Sequence, residues 1–372
     1  MEIQRNQTIE SNLTPKRVLI VYGPRRIGKT TLVKAFAQKN TDKKLLFAVG
    51  DDVRLQTLFN SGLRKEILDY ARPYEILIID EAQYIKNIGQ AIKMIIDEYP
   101  EKTIILTGSS SFEVSQHVGE PLTGRHFTMT LLPLMQSEIQ MSDFEKKEHL
   151  EDFLIFGSYP EVLLTNDREQ RIRILDELVH SYLLKDILVL DKIRSPETLI
   201  DILKALAFQV GNEVSFTEIG KLVGRDTKTV QRYIDILEKT FVIKRLRPYS
   251  KNLRNEISRK SKFYFYDLGI RNAIINQYNA LNLRNDVGAL WENFVFMELY
   301  KKSQALGLRE ELYFWRNKQG VEVDIVSEKD GSLRAYECKW TKEYSSGFSK
   351  FLDEYPKAET FVVNTGTYRD FF

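Results

Sequence analysis

Near its amino terminus the chain reads Val18-Leu-Ile-Val-Tyr22-Gly23-Pro24-Arg25-Arg26-Ile27-Gly28-Lys29-Thr30. The last eight residues match the pattern Gly-x-x-x-x-Gly-Lys-Ser/Thr, whose glycines let successive backbone N–H groups converge on a phosphate. The apolar run before them is typical of a buried strand, and a helical pattern begins at Lys29. A helix N-terminus adds partial positive charge at the same point. We therefore predict a nucleoside triphosphate site formed by Gly23, Pro24, Arg25, Arg26, Ile27, Gly28, Lys29, Thr30 and Thr31.

A second motif supports this site. The run Ile76-Leu-Ile-Ile79 is followed by Asp80 and Glu81, so two acids follow a predicted buried strand. In a parallel sheet the carboxyl ends of the strands face the ligand crevice. We predict that Lys29 reaches the β- and γ-phosphates, that Thr30 and Asp80 hold Mg²⁺, and that Glu81 activates the attacking water. The alternative is a chance glycine-rich turn beside an ordinary buried strand.

Two further residues are candidates for sensing or stabilising the γ-phosphate. The strand Thr103–Leu106 leads to Ser109 at the same edge, with Thr107 a near alternative. Arg125, in Leu122-Thr-Gly-Arg125, is predicted to stabilise the transferred phosphoryl group, in cis or from a neighbouring subunit of a homo-oligomer. Its alternative is a surface ion pair. Adenine is preferred because the guanine-reading pattern Asn-Lys-x-Asp is absent from the sequence.

The order of patterns along the chain predicts four parts. Short Val/Ile/Leu-rich runs alternate with helical stretches over residues 1–130, which indicates an α/β domain with a parallel sheet. Residues 131–205 have no strand signature and are predicted to form a helical lid or linker. Residues 206–262 have the order of a winged helix, with helices at Thr217–Val223 and Thr227–Lys239 before two strands. Residues 263–372 mix a helix at Val287–Lys302 with strands.

Composition limits the class of protein. The chain has 372 residues with 43% hydrophobic and 28% charged, as in a globular protein of several domains. The single cysteine, Cys338, excludes an internal disulfide framework, and no apolar run approaches the length of a membrane helix. We expect a cytoplasmic protein without membrane contact.

Positive charge is concentrated in one segment. Residues 225–262 contain 12 Lys or Arg and 4 Asp or Glu, although the whole chain has a net charge of only +2. Such a segment over a winged helix predicts DNA as a partner. Lys228, Gln231 and Arg232 would face the major groove, and the cations Lys251, Arg254, Arg259 and Lys260 would contact phosphates. The alternative is a solvated face that pairs with the acidic remainder of the chain.

A second group of carboxylates lies near the carboxyl terminus. Asp330-Gly331 is a hairpin signal, and a two-residue turn there makes paired residue numbers sum to 661, so that Asp324 lies opposite Glu337. Facing like charges destabilise a strand pair unless a cation lies between them. We therefore predict a divalent metal, Mg²⁺ or Mn²⁺, held by Asp324, Glu337 and Glu292, with Lys339 stabilising charge during phosphodiester cleavage. The alternative is an exposed face on which Lys339 pairs with either acid.

The chain resembles the prokaryotic AAA/STAND-like P-loop ATPases often called archaeal-type ATPases, over nearly its whole length. The resemblance implies an ATPase domain, a winged helix and a carboxy-terminal α+β domain similar to the PD-(D/E)xK (restriction-endonuclease-like) nucleases. It implies Asp324, Glu337 and Lys339 as the nuclease-like triad, with Glu292 as the helix acid. The motifs that carry it are Gly23-Pro-Arg-Arg-Ile-Gly-Lys-Thr30, Ile78-Ile-Asp-Glu-Ala-Gln83, Leu106-Thr-Gly-Ser-Ser110, Leu122-Thr-Gly-Arg125, Gly157-Ser-Tyr-Pro160, Tyr264–Asp267 and Trp291-Glu292-Asn293.

Three functions are compatible with these patterns. The first is an ATP-hydrolysing, DNA-associated protein with a nuclease-like domain. The second is a nucleotide-dependent switch that acts on a protein partner and has a catalytically silent carboxy-terminal domain. The third is a kinase-like phosphotransferase, against which Glu81 and the long carboxy-terminal extension argue.

Overall fold

A computed structural model describes residues 2–108, 121–183, 195–250, 260–342 and 347–372. The chain forms two compact units. The P-loop unit is Gln7–Leu132, and the carboxy-terminal unit combines Met1–Asn6 with Pro133–Phe372. No helix within the described ranges is both long enough and apolar enough to cross a membrane.

The P-loop unit is a parallel sheet with helices between its strands. Strands β2 to β6 have the order β3-β4-β5-β2-β6, and every neighbouring pair is parallel. After the amino-terminal strand β1 (Glu2–Ile3), which belongs to the other unit, the elements are α1 (Ile9–Asn12), β2 (Val18–Tyr22), α2 (Lys29–Lys39), β3 (Leu45–Val49), α3 (Val53–Asn60), α4 (Arg64–Ala71), β4 (Ile76–Asp80), α5 (Ile88–Glu98), β5 (Thr103–Gly108) and β6 (His126–Thr130).

The central strands β2 and β4 are buried along their whole length. Continuous apolar runs of this kind are needed where helices cover both faces of a sheet. The apolar runs Arg17–Tyr22, Lys44–Val49, Glu75–Ile79 and Thr103–Leu106 are predicted as strands and are present as β2 to β5, so the predicted α/β class is confirmed for this unit. Two features differ from prediction. The apolar spacing of Val53–Ala71 predicts one helix, but the structure has α3 and α4 there, because Gly62 between them has a left-handed φ of 70°. In addition, β6 joins the sheet beside β2.

The carboxy-terminal unit begins with helices. A short strand, β7 (Ile139–Gln140), pairs with β1, so the segment 131–205 is not entirely helical as predicted. The helices that follow are α6 (Asp143–Glu148), α7 (Leu150–Phe156), α8 (Pro160–Leu164), α9 (Arg168–Glu177), α10 (Pro196–Phe208), α11 (Phe216–Val223), α12 (Thr227–Lys239), α13 (Leu268–Ile274), α14 (Val287–Ala305) and α15 (Gly347–Glu354).

A six-stranded mixed sheet forms the rest of this unit, in the order β13-β12-β11-β10-β8-β9. Its strands are β8 (Ile243–Pro248), β9 (Lys262–Phe265), β10 (Glu311–Arg316), β11 (Glu322–Lys329), β12 (Ser332–Cys338) and β13 (Glu359–Val363). The two strands predicted for the wing, β8 and β9, therefore continue the same sheet as β10 to β13. Helix α14 lies against β9 and β12 and supplies buried aromatic residues, including Trp291 and Phe296.

Candidate functional site

The phosphate loop of the P-loop unit begins where β2 ends. Gly23 has a φ of 150°, and a Cβ atom at this position would lie 2.1 Å from the carbonyl oxygen of Leu131. Leu131 is fixed there because its N–H donates to the carbonyl of Tyr22 at 2.8 Å. Only glycine fits this approach, so the first glycine of the motif is set by packing as well as by backbone conformation.

Lys29 lies inside the loop and is buried. Its Nζ donates to the carbonyl oxygens of Gly23 and Pro24, at 2.9 and 2.7 Å. The loop therefore curls around the ammonium group that is predicted to bind phosphate. Ile27 is buried and can offer only its backbone to a ligand, whereas Thr31 is exposed at the start of α2.

The predicted magnesium ligands meet at the carboxyl ends of β2 and β4. The hydroxyl of Thr30 donates to Oδ2 of Asp80 at 2.7 Å. The other oxygen, Oδ1, accepts a hydrogen bond from the hydroxyl of Thr107 at the end of β5. Hydroxyl and carboxylate oxygens are ligands that Mg²⁺ prefers, and Mg²⁺ commonly uses one or two carboxylates together with phosphate and water. The residues present therefore fit a magnesium ion.

Glu81 follows Asp80 in a constrained backbone conformation. Its φ is 53°, which is uncommon for a residue with a side chain. Its N–H donates to the hydroxyl of Thr107 at 3.0 Å, and Gly50 lies so close that a Cβ there would be 2.2 Å from the carbonyl oxygen of Glu81. The side-chain amide of Gln83 donates to the Glu81 carboxylate. The backbone of the predicted water-activating residue is thus fixed by two neighbouring segments, and its carboxylate is held by Gln83.

The other two predicted phosphate contacts have different outcomes. Ser109 lies outside the described residues, whereas its near alternative, Thr107, contacts Asp80 directly. Arg125 precedes β6, which runs parallel to β2 with His126 level with Val18. Arg125 is therefore at the amino end of the sheet, opposite the phosphate loop, where its Nε donates to Asp97 at 2.6 Å. The predicted cis contact with phosphate is not formed, and a contribution from a neighbouring subunit stays a prediction.

The two arginines of the loop are partly exposed. Arg25 donates to the Tyr84 hydroxyl at 3.4 Å, and Arg26 has a left-handed φ of 58°. Contact between either guanidinium and phosphate stays a prediction.

The predicted hairpin of the carboxy-terminal unit has the expected register. Five pairs between β11 and β12 sum to 661, from Lys329 with Ser332 to Ile325 with Tyr336. The ladder ends one pair before Asp324 and Glu337. There the Asp324 carboxylate accepts the N–H of Cys338 at 2.8 Å. Lys339 Nζ lies 2.6 Å from Glu337 and 3.6 Å from Asp324.

The third predicted ligand, Glu292, faces a buried lysine that the sequence did not bring into the prediction. Lys262 Nζ lies 2.9 Å from Glu292 and also forms an ion pair with Glu322, and Tyr264 donates its hydroxyl to Glu292 at 2.5 Å. Burial lowers the pKa of Lys262, but the carboxylates of Glu292, Glu322 and Asp324 outweigh it and raise that pKa. Burial raises the pKa of Glu292 to about 7, although Lys262 opposes the rise.

The predicted second metal is therefore not supported. No three acidic, histidine or cysteine side chains within the described ranges are arranged to hold a metal ion. The physical reason is that two lysines already pair with these carboxylates: Lys262 with Glu292, and Lys339 with Glu337 and Asp324. The sequence reasoning recognised the facing carboxylates and Lys339 but missed Lys262.

Comparison with known proteins assigns the first of the two units. Residues 15–140 match the family model described as an AAA domain. These residues contain the phosphate loop, Asp80, Glu81 and Thr107. By this match and by their phosphate loop, residues 15–140 are similar to a P-loop ATPase domain, and they are called the AAA domain below. Residues 147–281 and 287–372 match two further families, each described as a domain of unknown function (DUF8612 and DUF4143).

Two relatives match most of this chain and about three quarters of their own length. An uncharacterized protein of Methanocaldococcus jannaschii is 26% identical over 342 residues, covering 86% of this chain and 74% of the relative. An uncharacterized protein of Mycobacterium tuberculosis is 25% identical over 358 residues, covering 95% and 77%. Among solved structures, the Walker-type ATPase of Pyrococcus abyssi is similar with 18% identity and a TM-score of 0.48, covering 72% of this chain and 93% of its own.

Outside the AAA domain, the predicted DNA-reading helix α12 has one buried and one exposed face. Val230, Tyr233, Ile234 and Leu237 are buried, whereas Lys228, Gln231 and Arg232 are exposed. Part of the positive charge of residues 225–262 is paired with acidic residues within the carboxy-terminal unit. Arg245 forms ion pairs with Asp235 and Glu238. Lys251, Arg254 and Arg259 lie outside the described residues, and Lys260 lies 3.7 Å from Glu218.

Proposed function

We propose that the AAA domain binds ATP with Mg²⁺ and hydrolyses it. The contact between Thr30 and Asp80 beside the buried Lys29 carries this proposal, because it joins a phosphate-binding loop to a metal-binding carboxylate. Lys29 would exchange its two carbonyl partners for β- and γ-phosphate oxygens. Thr30 and Asp80 would hold Mg²⁺, which supplies charge neutralisation between the phosphates. Glu81 would accept a proton from the attacking water.

Calorimetry and phosphate release test this proposal on the full-length chain. ATP should bind more tightly with Mg²⁺ than without it, and inorganic phosphate should appear without any added acceptor. Formation of ADP that requires an added acceptor, without release of inorganic phosphate, would favour the kinase-like alternative. A folded chain that binds no ATP with or without Mg²⁺ would overturn the proposal.

Thr107→Val should lower both the stability and the activity of the AAA domain. Thr107 is buried, donates to Asp80 and accepts from the N–H of Glu81, so valine keeps the volume but leaves this partly buried N–H and the Asp80 oxygen without their partner. An unsatisfied buried donor costs about 1–3 kcal/mol, and a similar loss in the transition state would lower kcat about tenfold or more. Calorimetric unfolding and steady-state hydrolysis measure the two effects.

The matched control is Thr103→Val, at the partly exposed start of the same strand β5. It makes the same chemical change about four residues from the phosphate end, and it should change neither kcat nor stability appreciably. Equal losses of stability and kcat in the two variants would mean that Thr107 contributes only to the stability of strand β5.

A second activity, DNA contact, is favoured by the exposed face of α12. Its helix is anchored by four buried apolar side chains, so Lys228, Gln231 and Arg232 are presented together on a supported surface. We propose that this surface and the basic segment 225–262 bind duplex DNA, with phosphate contacts that release counterions. The alternative that stays open is a nucleotide-dependent switch acting on a protein partner.

The double variant Lys228→Ala/Arg232→Ala should weaken DNA binding and reduce its salt dependence. Each of these two groove-facing cations that also contacts a phosphate beside the groove should, when removed, lower the slope of log K against log salt by about 1. Fluorescence anisotropy over a range of salt concentrations measures both quantities. Lys204→Ala, which removes an exposed lysine from α10, should leave both unchanged. Affinity that is independent of salt in the unmodified chain would contradict the proposal.

A further inference from the structure

The carboxylate cluster of the carboxy-terminal unit contains its own cation. Lys262 is 1% exposed, and its ammonium group is shared by Glu292 and Glu322. The ring of Phe314 lies 5.4 Å from the same nitrogen. An ammonium group without solvent is stable only where several anionic or aromatic partners replace water. Lys262 thus lies between the carboxylates of Glu292 and Glu322 and supplies the positive charge there.

Strand β9 is organised around this contact. Lys262 and Tyr264 are two residues apart on β9 and therefore point to the same face of the sheet. Both reach one carboxylate oxygen, Oε1 of Glu292, at 2.9 and 2.5 Å. The other oxygen, Oε2, is approached by Gly211, where an added Cβ would lie only 3.1 Å away. Glu292 is therefore surrounded by protein groups on several sides.

The remaining carboxylates of the cluster have protein partners too. Asp324 accepts the N–H of Cys338, and Glu337 pairs with Lys339. Glu322 has a second cation at 3.8 Å, the guanidinium of Arg316. A divalent ion entering this cluster would have to displace protein cations and would be repelled by the ammonium of Lys262.

We propose that Lys262 is the resident cation of this cluster, so that the unmodified chain holds no divalent metal there, and that its removal uncovers a metal site formed by Glu292 and Glu322. Two carboxylates completed by water are sufficient for Mg²⁺, and Mn²⁺ takes the same kind of oxygen ligands. This proposal concerns the carboxy-terminal unit and does not depend on ATP hydrolysis by the AAA domain.

Mn²⁺ binding to the full-length chain tests the proposal. Without nucleotide, Lys262→Met should gain a Mn²⁺ site that the unmodified chain lacks, detected by electron paramagnetic resonance of free Mn²⁺. Adding Glu292→Gln to Lys262→Met should weaken that site roughly 10- to 100-fold. The titrations are repeated with Asp80→Asn, which removes any contribution from the phosphate site.

Two controls and two contrary outcomes complete the test. Lys262→Arg keeps the positive charge and should gain no Mn²⁺ site. Lys244→Met removes a lysine on the neighbouring strand β8, 4.7 Å from the Tyr300 ring, and should gain none either. The proposal is overturned if the unmodified chain binds Mn²⁺ and Glu292→Gln abolishes that binding, an arm that does not require Lys262→Met to fold. It is also overturned if Lys262→Met folds, by circular dichroism, and binds no additional Mn²⁺.

Discussion

Glu81→Gln should lower kcat for ATP hydrolysis by roughly 10²- to 10⁴-fold and leave ATP affinity nearly unchanged. Glutamine keeps the shape of the side chain and can still contact Gln83, but it cannot take a proton from water. The backbone around residue 81 is fixed by Thr107, by Gly50 and by its left-handed φ, so the substitution should not move the site. Steady-state hydrolysis gives kcat, and calorimetry with Mg²⁺ and ATP gives affinity.

Lys29→Ala is the matched comparison because it should change ATP affinity, which Glu81→Gln should leave nearly unchanged. It removes the buried ammonium from the loop and should weaken ATP binding itself, whereas Glu81→Gln should not. A Glu81→Gln chain that hydrolyses ATP at the unmodified rate would exclude Glu81 as the base. A parallel loss of affinity in both variants would instead indicate that Glu81 supports the loop structurally.

The sequence was sufficient to place the candidate phosphate-site residues together because they lie next to strand ends. A glycine-rich turn before Lys29, and an acid directly after an apolar run, have few other structural explanations. Parallel strands bring their carboxyl ends to one edge, so Thr30 and Asp80 could be placed together without knowing the strand order. The contact at 2.7 Å agrees with that placement.

The misplaced residue Arg125 shows what depends on strand direction. Its motif, Leu-Thr-Gly-Arg, follows the strand Thr103–Leu106, which leads to the candidate sensor Ser109. This closeness in sequence suggested that Arg125 also lies near the phosphate. The strand after it, β6, had not been predicted, and this strand runs parallel to β2. A residue that directly precedes a parallel strand lies at the amino edge of the sheet, opposite the phosphate loop. Because β6 was not recognised, the prediction placed Arg125 at the wrong edge.

Gln83 and Thr107 show two different limits of predicting side-chain contacts from sequence. Gln83 lies two residues after Glu81 in the same motif, and that spacing could have indicated it as a partner for the glutamate. Thr107 was considered as a phosphate sensor, whereas its observed contacts are with Asp80 and the backbone of Glu81. Side-chain rotamers decide such contacts, and sequence spacing does not determine rotamers.

Lys262 could not have been located by pattern. It lies 30 residues from Glu292 and at the end of a strongly basic segment, where an exposed cation was the natural expectation. This lysine is buried by two contacts that sequence does not reveal. They are the antiparallel pairing of β8 with β9 and the packing of α14 against β9. The hairpin register was predictable because Asp330-Gly331 fixes it locally, but the partners of its carboxylates come from elsewhere in the chain.

Lys262→Met should lower the free energy of unfolding of the carboxy-terminal unit by about 3–5 kcal/mol when no metal is present. Methionine fills similar space but leaves the partly buried Glu292 and Glu322 without their shared cation. Tryptophan fluorescence during urea unfolding measures this unit alone, because all three tryptophans, Trp291, Trp315 and Trp340, belong to it.

The same measurement on Lys262→Met/Glu292→Gln separates charge from packing. The double variant lacks both the lysine and the Glu292 charges, so only Glu322 is left without its lysine partner. Its free energy of unfolding should therefore be higher than that of Lys262→Met, and the effects of the two substitutions should be clearly non-additive. The control Lys244→Met removes a partly exposed lysine that contacts the ring of Tyr300 and should cost only about 0.5–1 kcal/mol. Equal losses in the Lys262 and Lys244 variants would mean that the ion pairs contribute nothing beyond side-chain packing. A large loss restored by Glu292→Gln would instead mean that the carboxylates of this unit are stable only because a lysine, and not a metal, lies between them.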